Sequence, residues 1–466
     1  MLVRISLLVL TLLVAAGQPT RPDHRFGAVE LYDAPEAAAQ LGLTWGRVRF
    51  NWAWVQPESP DEWVESEFTD AQLEAEVGAG REVVGLLIGI PDWARDPQTR
   101  LPKGLHLPHD DPENTWGTFV RQAVRRYTGL IEHWIIWNEP DVWNDRNPAH
   151  TWPGTVDDFA QLVRVAYLAA RAANPEAVLH LAAMSHWWDV EFGRELYLRR
   201  LLAALTAHPD AAAHSAYFDV AAVHFYFNPA QVFELVHLYR AILADFGLGD
   251  KPVWLVETNA PPSQDPAWPV DDPSKQVSLR EQAAYIPQAL ALALAAGAER
   301  VSIYKLIDIP TDLVANPEPF GLLRLDGSAR PAFETTEVAL RHLRDATDVV
   351  WVDRHTVARV VWRQGERRVT MLWSRLPSWL TARFPAQSER ATLVDAFGNE
   401  RPVSAQDGYY AISLPAAECQ QTVREYCMIG GLPVYLIEET TSDVVGPLEG
   451  DGAQPQALAR WPWQGR

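Results

Sequence analysis

The chain is 466 residues long, 48% hydrophobic, and carries a formal net charge of −20. That length exceeds one small domain and suits a (β/α)8 barrel followed by a smaller module. Acidity without a basic patch sets nucleic-acid binding aside and reads as a contribution to solubility.

Residues 1 to about 20 read as a secretory signal. Arg4 is the positive region, residues 5–16 form a short apolar core, and Ala15, Ala16 and Gly17 offer a cleavage site. That core is too short to span a bilayer comfortably, and no later segment reads as a transmembrane helix. No cysteine near its end supports lipid attachment. The expected location is secreted or cell-surface, with an uncleaved anchor as the competing reading.

From about residue 25 to 345, short apolar runs alternate with helical patterns, which predicts a parallel sheet with crossover helices. Eight strands are predicted: 26–30, 46–50, 83–89, 133–137, 178–183, 220–225, 253–256 and 301–306. Their continuous apolar character fits barrel strands buried on both faces. Helix-like composition fills stretches such as 159–173 and 282–296. Residues 21–345 are therefore expected to form an α/β catalytic unit, a (β/α)8 TIM barrel.

Composition changes after about residue 345. Residues 349–353, 357–363, 369–373 and 391–394 read as short strands, with turn signals at Phe397-Gly398-Asn399 and Asp407-Gly408. They predict a small antiparallel, sandwich-like β domain over 346–440. Residues 441–466, rich in Gly, Pro, Gln and Asp without periodicity, read as a disordered tail. Cys419 and Cys427, the two cysteines of the chain, are expected to form a disulfide in an exported protein, two separate buried thiols being the alternative. Both lie far from the motifs below, which argues against thiol catalysis and zinc binding; no metal is expected.

The most informative run is Ile135-Ile136-Trp137-Asn138-Glu139-Pro140. An apolar strand ends in an amide, a carboxylate and a proline, and the proline stops the ladder. A second buried strand carries a carboxylate in Val253-Trp254-Leu255-Val256-Glu257-Thr258-Asn259. In a barrel, chemistry belongs at the C-terminal ends of the strands. Two carboxylates there, at strands four and seven, are what glycoside hydrolysis needs: Glu139 as acid/base and Glu257 as nucleophile. Either glutamate alone would read as a solvated loop residue.

Arg49, near the end of strand two, is a buried guanidinium in search of a partner, and Glu257 is the expected one. Arg47 shares its face by the two-residue period, and Arg49 is preferred because it lies nearer the strand end. His224 and Tyr226, two apart at the end of strand six, share a face. The tyrosine hydroxyl beside the nucleophile would orient it. Asn138 would bond the sugar 2-hydroxyl. Tryptophan is abundant, with 20 Trp against 15 Phe and 13 Tyr. Most are expected to pack the core, but Trp52, Trp54, Trp93, Trp187 and Trp188 fall beside strand tips. Trp54, Trp93 and Trp187 are the candidates to stack on a sugar.

Through these residues the chain resembles clan A glycoside hydrolases, particularly families 39 and 5, over roughly residues 25 to 345. Trp137-Asn138-Glu139-Pro140 matches the clan's acid/base signature, Glu257 its nucleophile, and Arg49, His224 and Tyr226 residues used around that nucleophile. The resemblance implies a retaining enzyme that needs no cofactor. It has one departure. Clan members usually end strand eight with a Trp beneath the glycone sugar, whereas this chain has Tyr304-Lys305-Leu306-Ile307-Asp308. Tyr304 and Lys305 are the expected glycone contacts. The whole predicts an exported retaining glycosidase of oligo- or polysaccharides, with carbohydrate as its partner and no integral membrane segment once the signal is removed. Its rivals are a catalytically silent barrel that binds polysaccharide and a cell-surface adhesion protein.

Overall fold

The computed structural model describes residues 23–440, apart from 148 and 353–355. The expected signal segment and the expected tail lie outside the described residues. Eight parallel strands form one sheet: β1 (Phe26–Val29), β2 (Trp45–Asn51), β3 (Glu82–Ile88), β4 (Ile131–Asn138), β5 (Val178–Ala183), β6 (Ala221–Tyr226), β7 (Val253–Asn259) and β8 (Arg300–Ile303). Their order is β5-β4-β3-β2-β1-β8-β7-β6. Parallel bridges between His180 and Val220 and between Met184 and Val223 join the two ends. The sheet thus closes into the expected barrel, as continuous apolar runs buried on both faces require.

A helix follows each strand, beginning with Pro35–Leu41 and Asp70–Gly78 and ending with Leu279–Ala295 and Pro331–Leu343. The helices Val156–Ala173 and Leu279–Ala295 start three residues before their apolar periodicity does. Capping explains this. Thr155 with Asp158, and Ser278 with Glu281, form reciprocal capping boxes that satisfy free N–H groups of the first turn. The strand ends also shift: β1 stops at Val29 because Glu30 turns left-handed at φ 53°, and β7 runs on to Asn259.

Beyond the barrel lie β9 (Thr347–Val352), β10 (Val357–Gln364), β11 (Arg367–Ser374), β12 (Leu380–Pro385), β13 (Arg390–Val394), β14 (Glu400–Ser404), β15 (Tyr409–Leu414), β16 (Thr422–Val423), β17 (Tyr426–Cys427) and β18 (Val434–Glu439). Six make a sheet in the order β14-β13-β18-β11-β10-β9, so β18 lies in its interior. The β12–β15 pair covers one face through Phe384, Tyr410, Ile412 and Leu414. The other face packs on the barrel through Val360, Trp362, Met371 and Trp373. The Trp362 indole donates to the His342 carbonyl (2.8 Å), and Gln288 donates to the Gly431 carbonyl (3.0 Å). More strands form here than the sequence suggests. β15, for one, alternates exposed and buried residues over only six positions, a short one-sided pattern. Among the described residues no helix is long and apolar enough to cross a membrane.

Candidate active site

The site is built at the C-terminal ends of the barrel strands. β4 ends in two left-handed residues either side of Asn138: Trp137 at φ 74° and Glu139 at φ 45°. Such angles are costly for residues with a Cβ and persist only when the surroundings enforce them. The enforcement is visible. Trp137 is buried, and its indole donates to the Thr151 hydroxyl (3.0 Å), which donates to the Asn138 carbonyl (2.7 Å). The Glu139 N–H donates to the Ala183 carbonyl of β5 (2.9 Å). This pins the Glu139 carboxylate over the barrel mouth.

Glu257 sits inside β7, with the whole strand buried. Arg47 Nη1 lies 2.5 Å from its Oε1, and the Tyr226 hydroxyl donates to its Oε2. His224 Nδ1 lies 2.8 Å from Glu139 Oε1 and 3.4 Å from Glu257 Oε2, so one ring edge spans both carboxylates. An oxygen of Glu139 and an oxygen of Glu257 approach within 4.8 Å. Among the described residues, Glu139, His224 and Glu257 are also the cluster close enough to ligate a metal ion. The Arg47 guanidinium already supplies Glu257 with a positive charge, so the site does not call for one.

Burial alone would raise the Glu257 carboxyl. The Arg47 charge, then His224 and the Tyr226 hydroxyl, outweigh it and hold Glu257 below the usual carboxylate range. Tyr226 moves the other way: burial, then the Glu257 charge, push its hydroxyl well above its ordinary value, so it keeps its proton and donates. Asp141, two residues after Glu139, is buried and accepts from Ser185 N–H (3.1 Å), the Ser185 hydroxyl (2.8 Å) and His186 N–H (2.8 Å). Burial, then the neighbouring Glu139 charge, push it up to about 6.

The expected residues meet this frame unevenly. Glu139, Glu257, His224 and Tyr226 converge. Arg49 does not join them: its guanidinium bonds Glu67 (Nε to Oε2, 2.7 Å) and lies over the Trp54 ring at 5.3 Å. Arg47 takes the role expected of Arg49. Asn138 is half-buried beside Glu139, and its amide makes no hydrogen bond with the described residues, which leaves it free for a ligand. Tyr304 stands near Tyr226 and Phe320, with ring centroids 6.3 and 5.1 Å away. Its carbonyl accepts from Asn259 (2.6 Å), which also donates to the Phe320 carbonyl (2.6 Å). Lys305 is not turned to the cleft. It is buried and bonds Glu30 (2.5 Å) and Asp312 (2.6 Å).

Of the tryptophans, Trp93 is half-buried, donates to the Gln56 carbonyl (2.7 Å) and sets its ring against Trp52, so it packs the scaffold. Trp54 and Trp187 remain exposed. Cys419 and Cys427 are joined in a disulfide with Cα atoms 4.7 Å apart. Sequence reading gave no role to Asp141, Asn259 or Glu67. The two-residue period from Glu257 was a signal that could have found Asn259; for Glu67, in a loop, there was none.

The fold is that of clan A glycoside hydrolases. A family 39 glycoside hydrolase from Bacteroides cellulosilyticus superposes with a TM-score of 0.66 at 18% identity, over 90% of this chain and 82% of that one. A glucosidase from Croceicoccus marinus gives 0.59 at 14% identity, over 89% and 95%. A monomeric beta-xylosidase from Caulobacter crescentus gives 0.55 at 13% identity, over 90% and 96%. In sequence, the chain is 27% identical over 199 residues to the beta-glucosidase-like SFR2, chloroplastic, of Oryza sativa subsp. japonica. That match spans 40% of this chain and 29% of the rice protein. No family model matches the chain.

Proposed function

We propose that this chain is an exported, retaining glycoside hydrolase that cleaves O-glycosidic bonds by double displacement. The approach of Glu139 and Glu257 within 4.8 Å carries the reading. Retaining enzymes hold their carboxyl groups about 5–5.5 Å apart, whereas inverting enzymes need about 6.5–9.5 Å to admit a water. The names of the structural neighbours, a glucosidase and a beta-xylosidase among them, point the same way.

Glu257, kept ionised by Arg47, attacks the anomeric carbon. Glu139 gives its proton to the departing glycosidic oxygen. Glu139 then takes a proton from water, which releases the sugar with its configuration retained. The Tyr226 hydroxyl holds Glu257 in line and lies where the ring oxygen develops charge. Asn138 takes the 2-hydroxyl, and Tyr304 lies under the glycone. Export rests on the Arg4-to-Gly17 pattern and agrees with the disulfide.

The test begins with chromogenic glycosides of several sugars and both anomers. Glu257→Ala should abolish turnover. Glu139→Ala should retain more activity on activated aryl glycosides than on poor leaving groups. Azide should yield a glycosyl azide of retained configuration with Glu139→Ala and of inverted configuration with Glu257→Ala. Exchanged outcomes would reverse the two roles. Wild-type turnover in both variants would place the chemistry elsewhere, and binding without any turnover would favour a silent barrel.

A further inference from the structure

Near the acid/base, four aromatic rings gather at the surface. Trp143 lies four residues after Glu139, and Trp187, Trp188 and Phe192 lie on and after the short helix Trp187–Glu191 that follows β5. Trp143, Trp187 and Phe192 are 42, 46 and 51% exposed, while Trp188 is buried beneath them. Trp143 meets Phe192 edge-on at 5.1 Å, Trp187 meets Trp188 at 4.4 Å, and Trp188 stacks on Phe192 at 5.8 Å. Among the described residues, no other exposed aromatic rings touch one another. Clusters of exposed apolar rings mark binding surfaces.

The place of the cluster says what it meets. Asp141, on the same turn as Glu139, accepts from Ser185 and His186 at the start of the second loop, so the rings and the acid/base are held by one strap. Whichever group Glu139 protonates as it leaves must lie on this side of the cleft. The chemistry of the rings narrows that group. Phe192 has no hydrogen-bonding atom. Arg194 lies over the Trp143 ring at 5.0 Å and is 3.6 Å from buried Asp189, so its charge is already engaged. A single exposed indole such as Trp187 could carry the C–H face of a sugar. Trp143 and Phe192, however, meet at 77°, so a sugar laid flat on one ring would turn its hydroxyl edge toward the other with little in return, whereas an apolar group would not.

We propose that Trp143, Trp187 and Phe192, backed by Trp188, form the leaving-group site, and that it takes an apolar aglycone in preference to a second sugar. This rests on the glycosidase reading above. The test uses the full chain and n-alkyl glycosides from methyl to hexyl, carrying the sugar that the chromogenic screen selects, beside a disaccharide of the same glycone. Wild-type kcat/KM should rise about twofold per added CH2, as for a methylene buried on one side. Trp187→Ala with Phe192→Ala should flatten that series, lowering kcat/KM for the hexyl glycoside by a larger factor than for the disaccharide. A disaccharide that loses more than the hexyl glycoside would make the rings a sugar platform and overturn the proposal. A series already flat in the wild type would overturn it too, with the glycosidase reading intact. A second measurement needs no turnover: n-hexyl and methyl β-D-glucoside are compared as perturbants of tryptophan emission. Tighter hexyl binding that vanishes in the double variant supports the site even if no glycoside is hydrolysed, and equal binding of the two counts against it.

Discussion

Arg47 Nη1 lies 2.5 Å from Glu257 Oε1, with both side chains buried. The barrel register explains why it is Arg47 and not Arg49. β1 ends at Val29, which pairs with Arg47, so Arg47 still lies among the barrel strands while Arg49, two residues on, stands above the end of β1, at the rim with Glu67. β7 meanwhile bulges between Leu255 and Glu257, where one residue of β6 faces two of β7.

Exchanging Arg47 for Met should cost about a hundredfold or more in kcat, as loss of a buried charge partner in a dry site does. Without the guanidinium, burial dominates and the Glu257 carboxyl rises. As the proposed nucleophile, Glu257 must be ionised, so the acid limb of the kcat/KM profile should move to higher pH. Arg47→Lys should recover part of both effects. Arg49→Ala, at a partly exposed pair, should cost about 1 kcal/mol or less and leave the limb in place. Steady-state rates across pH decide it.

Lys305 with Glu30 and Asp312 is a second buried ion group, and its role is to hold the fold. Lys305→Met would strand Glu30 without its cation and should cost about 3–5 kcal/mol in urea unfolding. Adding Glu30→Gln should return part of that loss. Burial raises Glu30, but Lys305 outweighs it and lowers the carboxyl from 4.5. Its contribution is present above about pH 4.5 and lost as pH falls through the lowered value. Burial lowers Lys305, but Glu30 and Asp312 outweigh it and raise the amine above 10.5. That contribution holds below about 10.5 and fades as pH rises through the raised value. The stability gap between wild type and Lys305→Met should therefore be flat near neutrality and narrow below pH 4.5.

Asp141 has the opposite sign. Its carboxyl is pushed from 3.8 up to about 6. The folded chain then binds that proton more tightly than the unfolded chain, so this group opposes folding increasingly as pH rises from about 4 through 6. A carboxyl raised that far opposes folding by about 3 kcal/mol at most once it is fully ionised. Relative to wild type, Asp141→Asn should gain stability between pH 4.5 and 7, measured by urea titration at several pH values. A gap that does not grow with pH would contradict the assignment.

The Cys419–Cys427 bridge closes a short loop that docks on the barrel. Gln420 N–H donates to Glu281 (2.9 Å), and Ser278 donates to Glu418. Reduction, or Cys419→Ser with Cys427→Ser, should lower stability by about 2–3 kcal/mol through the unfolded chain. Thiol titration of the denatured, unreduced protein should find no free thiol.

The barrel was legible because its strands are apolar on both faces, and Glu139 because a proline stops a strand beside it. Glu257 followed from its place at the end of a second predicted buried strand, and His224 and Tyr226 from a shared strand face. The height of a side chain within the barrel was not legible. It depends on the stagger of neighbouring strands, which sequence spacing does not record, and so Arg49 was preferred to Arg47. Lys305 misled for a related reason: its partners Glu30 and Asp312 come from other turns of the chain, and only packing brings them to it. The strands β12, β14 and β15 went unread because half-exposed β-structure carries little apolar signal; β18 is the exception, since Val434-Tyr435-Leu436-Ile437 is a short apolar run whose signal was present.

The interior position of β18 sets an order on synthesis. β11 and β13 both pair with it and not with each other. Until residues 434–439 have left the ribosome, the sheet exists as two pieces, each with a bare edge where β18 will lie. The barrel can form first, since none of its strands waits for this segment. The face that covers the Pro331–Leu343 helix is then completed last, and a chain stopped before residue 434 would leave two open sheet edges, a surface prone to pairing with other chains.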